Sequence, residues 1–385
     1  MISTAISPQS VHDLALFPAA QAMIHLNHAG VAPICGPAAN AIHHYAQQAT
    51  TQPYTNTGWY RKINDLRALA AKLINARNPH EIAVIPNTST GLATIARGLP
   101  WRSGDNIVIT NVEYPANRYP WQDLQRLGVT LTEVPQQPDG RIDVEDVCDA
   151  ITDRTRLVAI SHVQYASGFR IDLKPISNTT HKVGGYLCVD AIQSVGVLPV
   201  DIQAMGIDFL AADGHKWMLA PEGAGILYVH QDLCQLLHPP IVGWLNMVNA
   251  DDYGNYDFNF HPDSRRFEPG SYNIPGLLGL HAALELLVGI GTDTLWQRVE
   301  HHTNRLAQAL PDLGYRLFTP RRHAEERSGI IVIEPRVGQD PAAVVRQLAD
   351  QNIHIALRSG RLRLSPHAYN TDDQIDQALE ALKNA

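Results

Sequence analysis

Seven short apolar runs, at 82–85, 106–110, 130–134, 157–161, 186–189, 209–212 and 226–229, are separated by stretches with helical spacing. Runs this short and this uniformly apolar read as strands buried on both faces. Strands that alternate with helices pair through crossovers, so the pattern predicts an α/β fold with a mostly parallel seven-stranded sheet between helices. From Gly276 a long apolar helix leads away from that unit. A second, smaller α/β unit follows, with helices at 299–310, 342–351 and 372–382 and strands at 328–333, 353–357 and 361–365. The predicted division is an N-terminal arm, 1–21, packing on the small domain, a large domain, 22–285, and a small C-terminal domain, 286–385. There is no internal repeat and no low-complexity tract.

Open parallel sheets bind ligands beyond the carboxyl ends of their strands, and this chain places chemically useful residues there. After the run 209–212 comes Asp213-Gly214-His215-Lys216-Trp217-Met218, a lysine between a small-residue turn and an apolar stretch. Apolar neighbours weaken solvation of the ammonium, so the amine can be neutral and nucleophilic near pH 7. Strand 186–189 delivers Asp190, with Gln193 one turn later. Asp190 alone also reads as a helix N-cap. Asn87-Thr88-Ser89-Thr90-Gly91 leads from strand 82–85 into a helix, where free N–H groups and hydroxyls form a phosphate cradle. Tyr114, after strand 106–110, is placed to stack on a flat ring. A nucleophilic lysine, an acid for a ring nitrogen and a phosphate cradle together describe a pyridoxal 5′-phosphate site.

From Leu26 to Tyr369 the chain resembles the class V aminotransferase and cysteine desulfurase family of fold-type I pyridoxal phosphate enzymes. The resemblance is carried by Leu26-Asn27-His28-Ala29-Gly30, Thr88-Ser89-Thr90-Gly91, Glu113-Tyr114-Pro115-Ala116-Asn117, Ser161-His162-Val163, Val189-Asp190 with Gln193, Gly214-His215-Lys216, Arg266-Phe267-Glu268-Pro269-Gly270 and Arg363-Leu364-Ser365. It implies that Lys216 binds the cofactor aldehyde, Asp190 meets the pyridinium and Gln193 the phenolate, while Thr88, Ser89, Thr90 and His215 hold the phosphate. It further implies a homodimer in which Gly270 and Ser271 reach the phosphate held by the other subunit. Arg363 matches the clamp for the substrate carboxylate, with Arg358, Ala29 and Tyr165 also at the substrate. Gln164 and Tyr165 both stand where related enzymes place a side chain over the phenolate edge.

The chain departs from this pattern in three places. Desulfurases carry a persulfide-forming cysteine in a loop between the segments matching Arg358-Ser359-Gly360 and Arg361-Leu362-Arg363, and here those segments abut. Cys35, Cys148, Cys188 and Cys234 lie elsewhere, which argues against desulfuration through a protein persulfide. The stacking residue, commonly histidine in desulfurases, is Tyr114. The residue two before the His-Lys pair, usually serine, is Asp213, whose charge would repel a phosphate.

A length of 385 residues and 45% hydrophobic content fit a globular two-domain chain. A net charge of −8 with scattered basic residues excludes a nucleic-acid surface. No apolar run approaches the roughly twenty residues of a membrane span, and the first ten residues lack a signal pattern, so the expectation is a cytoplasmic protein. Four scattered cysteines agree with a reducing compartment. His43-His44 and His301-His302 are neighbours on helical patterns and should point to different faces, so no metal site is expected. Tyr54, Trp59, Tyr60, Trp244 and Tyr272 read either as pocket lining or as packing, and 244–262 as a mobile loop over the site. The expected reaction on a small amino acid is aminotransfer. C–S lysis, epimerisation and non-catalytic cofactor binding are the alternatives.

Overall fold

The computed structural model describes residues 6–53 and 57–385. The seven expected runs form one sheet in the order Ile82–Ile85, Gly225–Val229, Phe209–Asp213, Tyr186–Asp190, Thr155–Ser161, Asn106–Thr110, Thr130–Val134. Only Gly225–Val229 runs against the rest. Its neighbour on one side, Phe209–Asp213, precedes it closely in the chain, so a short connection reverses direction where the other strands need crossovers.

Alternation along each strand sends side chains into two cores. Leu210 and Ala212 enter one, which is closed by the helices Trp59–Leu73, Leu173–Lys182 and Ile274–Ile290. Phe209 and Ala211 enter the other, beneath the helix Thr88–Gly98. That helix lies close because position 91 is glycine: a Cβ there would meet Ala211 Cβ and Ile85 Cδ1, each at 2.8 Å. Its first turn therefore sits directly over the strand ends.

A third core, around Leu306, Ile331, Leu348, Leu364 and Leu382, belongs to a small lobe. Its antiparallel sheet runs Ala356–Arg358, Arg361–Leu364, Ile331–Glu334, Arg316–Leu317. The run 353–357 is split rather than continuous. Ile353–His354 pairs in parallel with Ile24–His25, whereas Ala356–Arg358 pairs with Arg361–Leu364. Leu26, assigned from sequence to the large domain, is thus buried in the small-lobe core. The helix Ile274–Ile290 continues past position 285, and Leu295 and Val299 still pack in the large core. The N-terminal arm touches both lobes: Val11 and Phe17 join the large core, while Gln374 Nε2 donates to Ala20 O at 2.9 Å.

Ser359 and Gly360 have φ of 49° and 76°, so a two-residue turn closes the hairpin between Arg358 and Arg361. Left-handed conformation at both central residues suits the twist of paired strands. Among the described residues no single helix is long and apolar enough to cross a membrane.

Candidate active site

A cavity of about 450 Å³ opens at the carboxyl ends of Tyr186–Asp190 and Phe209–Asp213. Thr88, Ser89, Tyr114, Asp190, Gln193, His215 and Lys216 line it from the large lobe, Arg358 and Arg363 from the hairpin, and Ala29 and Tyr165 from loops. The parallel register brings the strand ends to a common edge, with Asp190 opposite both Ser161 and Ala211, and the bridge from Asn27 to Ser365 brings in residues more than 300 positions apart.

Lys216 follows strand Phe209–Asp213 on a turn that ends at Leu219, a non-glycine residue with φ 55°. Among the described residues its Nζ has no ion pair within 4 Å. Burial is the main cause that pushes its ammonium down to about 8; Asp190 and Asp213 oppose the shift, and Arg363 and Arg358 add to it. Asp190 is 2% exposed, and burial raises its carboxyl to about 6. Its Oδ1 accepts the Ile192 N–H at 3.0 Å. The buried acid and depressed lysine thus need each other's charge, or that of a ligand between them.

Gln193 Oε1 accepts from the Trp217 indole at 2.9 Å, and its Nε2 donates to Ala29 O at 3.0 Å. One amide proton remains for a ligand oxygen. The Tyr114 ring centroid is 5.7 Å from Lys216 Nζ and meets Tyr165 edge-on at 5.2 Å. Its chain neighbour Glu113 is a buried carboxylate accepting from Thr110, Asn117, Ser161 and Gln164. Gln164 is therefore engaged in the core, and Tyr165 is the one of that pair on the cavity.

Asn87 caps the phosphate-cradle helix, its Oδ1 accepting the Thr90 N–H at 2.9 Å. The Thr90 hydroxyl also donates to Asn87 Oδ1, and Thr90 is not among the residues that line the cavity. Thr88 and Ser89 occupy the first turn, where helix N–H groups lack partners within the helix.

Arg363 is 1% exposed. Nη1 donates to Tyr165 O at 3.0 Å and Nη2 to Asn27 Oδ1 at 3.3 Å, both uncharged acceptors, while Nε is buried without a partner. Burial and then Arg358 push the guanidinium down to about 9. A buried cation with an orphaned donor and no carboxylate within 4 Å among the described residues is shaped for a ligand carboxylate. Asn27 was missed as a site residue, because its place beside Arg363 follows from the pairing of Ile24–His25 with the small lobe. Trp217, which fixes Gln193, reads from sequence only as an apolar neighbour.

Several expected residues lie elsewhere. Gly270 and Ser271 line a separate pocket with Pro86 and Gly223, away from this cavity. Tyr60, Trp244 and Tyr272 face a larger groove of about 1370 Å³ that also takes in residues 248–253 and does not include Lys216. The segment 244–262 is thus not a cover over the site within this chain. Trp59 packs on Tyr45 at 4.7 Å, and Tyr54 lies outside the described residues. His301 and His302, expected to diverge, both approach Asp372 Oδ1, at 2.9 and 3.5 Å, because the start of Asp372–Lys383 packs between them.

The site fits pyridoxal phosphate on its own geometry: the orphaned Arg363 donor, the buried Asp190 beside a depressed lysine, and the open first helical turn. The aminotransferase class-V family model matches residues 24–377. A probable cysteine desulfurase of Methanothermobacter thermautotrophicus is 30% identical over 387 residues, covering 94% of each chain. The apo cysteine desulfurase of Thermococcus onnurineus superposes with a TM-score of 0.88 at 26% identity, over 100% of this chain and 99% of that one. The cystine C–S lyase C-DES, in complex with its reaction product cysteine persulfide, gives a TM-score of 0.87 at 25% identity, over 96% and 99%. A variant of C-DES carries glycine covalently linked to its PLP cofactor, with a TM-score of 0.88 at 25% identity over 97% and 99%.

Proposed function

The chain belongs to the aminotransferase class-V family of pyridoxal-phosphate enzymes, and from that premise we propose that it is a C–S lyase acting on a small amino acid with sulfur at Cβ. The expectation of aminotransfer gives way here, because the relatives and structural neighbours are named for chemistry at a carbon–sulfur bond. The observation that carries the lyase reading is the two-residue turn Ser359-Gly360, which leaves no loop for a thiol beside the cavity. Among the described residues Cys35, Cys188 and Cys234 are buried in cores and Cys148 is remote from the cavity lining. Burial pushes the Cys35 thiol up to about 11 and the Cys188 thiol well above its ordinary range, which makes both poor nucleophiles. Relatives named as cysteine desulfurases favour sulfur transfer to the protein, and the missing loop weighs against it.

When bound, the cofactor supplies an aldehyde for the substrate amine and a ring that accepts the electron pair left at Cα. Arg363 receives the substrate carboxylate on its free N–H groups and so sets which Cα bond faces the ring. Lys216 Nζ, whose ammonium burial pushes down to about 8, takes the Cα proton in its neutral form. Asp190 would hold the ring nitrogen with its carboxylate, and Tyr114 would stack on the ring. The Cβ–S bond breaks with its electron pair on sulfur. Overall, R–S–CH2–CH(NH3+)–COO− and water give pyruvate, ammonium and RSH. We also propose that the protein works as a homodimer, with Gly270 and Ser271 completing the partner's phosphate site.

The test is a product assay with cystine, cysteine and a panel of other amino acids. Pyruvate and ammonium in equal amounts support the lyase. Alanine with transferable sulfur would mean desulfuration, a keto acid formed only with an acceptor keto acid would mean aminotransfer, and inverted stereochemistry would mean epimerisation.

A further inference from the structure

Asp213 occupies a place where a negative charge looks adverse, two residues before the phosphate ligand proposed at His215. Its carboxylate is 4% exposed, and a buried carboxylate persists only when paired and hydrogen-bonded. Both of its oxygens are engaged. Oδ1 accepts the Gly214 N–H at 2.7 Å, and Oδ2 lies at ion-pair distance, 2.8 Å, from His215 Nδ1, whose N–H is not aligned on it as a hydrogen bond and has no other partner. The Asp213 N–H donates to Thr88 Oγ1 at 3.0 Å, so the Thr88 hydroxyl keeps its own proton to donate into the cavity. One residue thereby links the histidine to the first turn of the helix Thr88–Gly98.

We infer that Asp213 is a positioning residue that holds His215 as an imidazolium, making it a charged ligand for the cofactor phosphate. A carboxylate at Nδ1 requires a proton on that nitrogen. A phosphate oxygen at Nε2 requires a second one, and a ring that donates from both nitrogens carries a positive charge. The order carboxylate, imidazolium, phosphate alternates in sign, so the carboxylate is screened from the phosphate by the ring between them. The inference rests on the family's cofactor and is independent of which bond the enzyme cleaves.

The experiment is equilibrium dialysis of the full chain freed of cofactor, giving Kd for pyridoxal phosphate and for pyridoxal, in wild type, Asp213→Asn, His215→Asn and the double variant. Each single change should raise the Kd of pyridoxal phosphate by about tenfold to a hundredfold, the factor carried by one charge-assisted hydrogen bond. Pyridoxal, which lacks the phosphate, should bind within about twofold of wild type. The double variant should be no weaker than His215→Asn, because Asp213 acts through that ring. Tighter or unchanged pyridoxal phosphate binding in Asp213→Asn overturns the inference, since it would leave only repulsion. So does full additivity in the double variant, or an equal loss of pyridoxal, which marks damage to the fold or to Lys216.

Discussion

Replacing Arg363 with methionine should lower catalytic efficiency and raise thermal stability together. The guanidinium is 1% exposed, and its two acceptors, Tyr165 O and Asn27 Oδ1, are uncharged. At about 1.4 kcal/mol for each pH unit, the displacement from the ordinary guanidinium range down to about 9 corresponds to a penalty of about 5 kcal/mol for keeping the charge in the fold. The sign follows from the folded state binding its proton more weakly than the unfolded chain. The penalty is full at pH 7, below both values, and stability recovers only as pH rises above about 9. Methionine fills much of the volume without charge but strands two acceptors, at about 1 kcal/mol or more each. A net gain of about 1–3 kcal/mol remains, worth roughly 1–4 °C in Tm for a chain of this size. The substrate carboxylate meanwhile loses a buried charged partner, at about 2–5 kcal/mol, or roughly thirty-fold to several thousand-fold in kcat/KM. Lysine should restore part of this, because it supplies charge without the two-pronged fork. The assay is pyruvate release coupled to NADH consumption, beside a melting curve of the same sample. A methionine variant with wild-type kcat/KM refutes the clamp, and if Arg358→Ala loses activity instead, the clamp belongs to Arg358. A fall of several degrees in Tm refutes the claim that the buried charge is carried at a cost.

Lys216→Ala should abolish the visible absorbance of covalently bound cofactor, and borohydride reduction of the wild type followed by peptide mapping should label Lys216 alone. Capture of pyridoxal phosphate by the apoenzyme should accelerate as pH rises through about 8, because only the neutral amine attacks the aldehyde. In Asp190→Asn the midpoint should move down, since Asp190 favours the charged lysine; an upward move in the rate profile contradicts this. Replacing all four cysteines should leave pyruvate release within about threefold of wild type while lowering Tm, since Cys188 and Cys234 fill core space; loss of most activity in a folded variant would assign a thiol to the reaction. Gly329→Ala should lower Tm and weaken cofactor binding, because a Cβ there would meet the Trp217 ring at 2.4 Å and displace the indole that holds Gln193.

The large sheet was readable because its strands are buried on both faces, so each appears as an apolar run bounded by turns. The run 353–357 misled for the same reason: burial keeps it apolar, yet its two ends pair with different sheets, and nothing local records a partner more than 300 residues away. Lys216, Asp190, Thr88 and Ser89 were legible from their order along the chain, each following a strand. Asn27 and the Trp217 contact to Gln193 were not, because both depend on side chains meeting across elements. Asp213 was legible as an anomaly and became intelligible only through its 2.8 Å contact with His215. The adjacent histidines at 301 and 302 show the limit of helical spacing as a guide, since a third residue inserted between diverging side chains can meet both.

The small lobe is joined to the large one by two separate stretches of chain, because Ile24–His25 pairs with Ile353–His354 and Leu26 enters the small-lobe core, while the helix Thr292–Ala309 also leads into that core. A body tethered at a single point can swivel freely, but one tethered at two can turn only about the line between them. Asn27 and Arg363 ride on opposite sides of that construction and are joined by their own hydrogen bond. Arg363 also donates to Tyr165 O in the large lobe, and Ile330, Val332 and Tyr369 pack in the large core, so drawing the guanidinium away from Lys216 would mean breaking that bond and unpacking those side chains together.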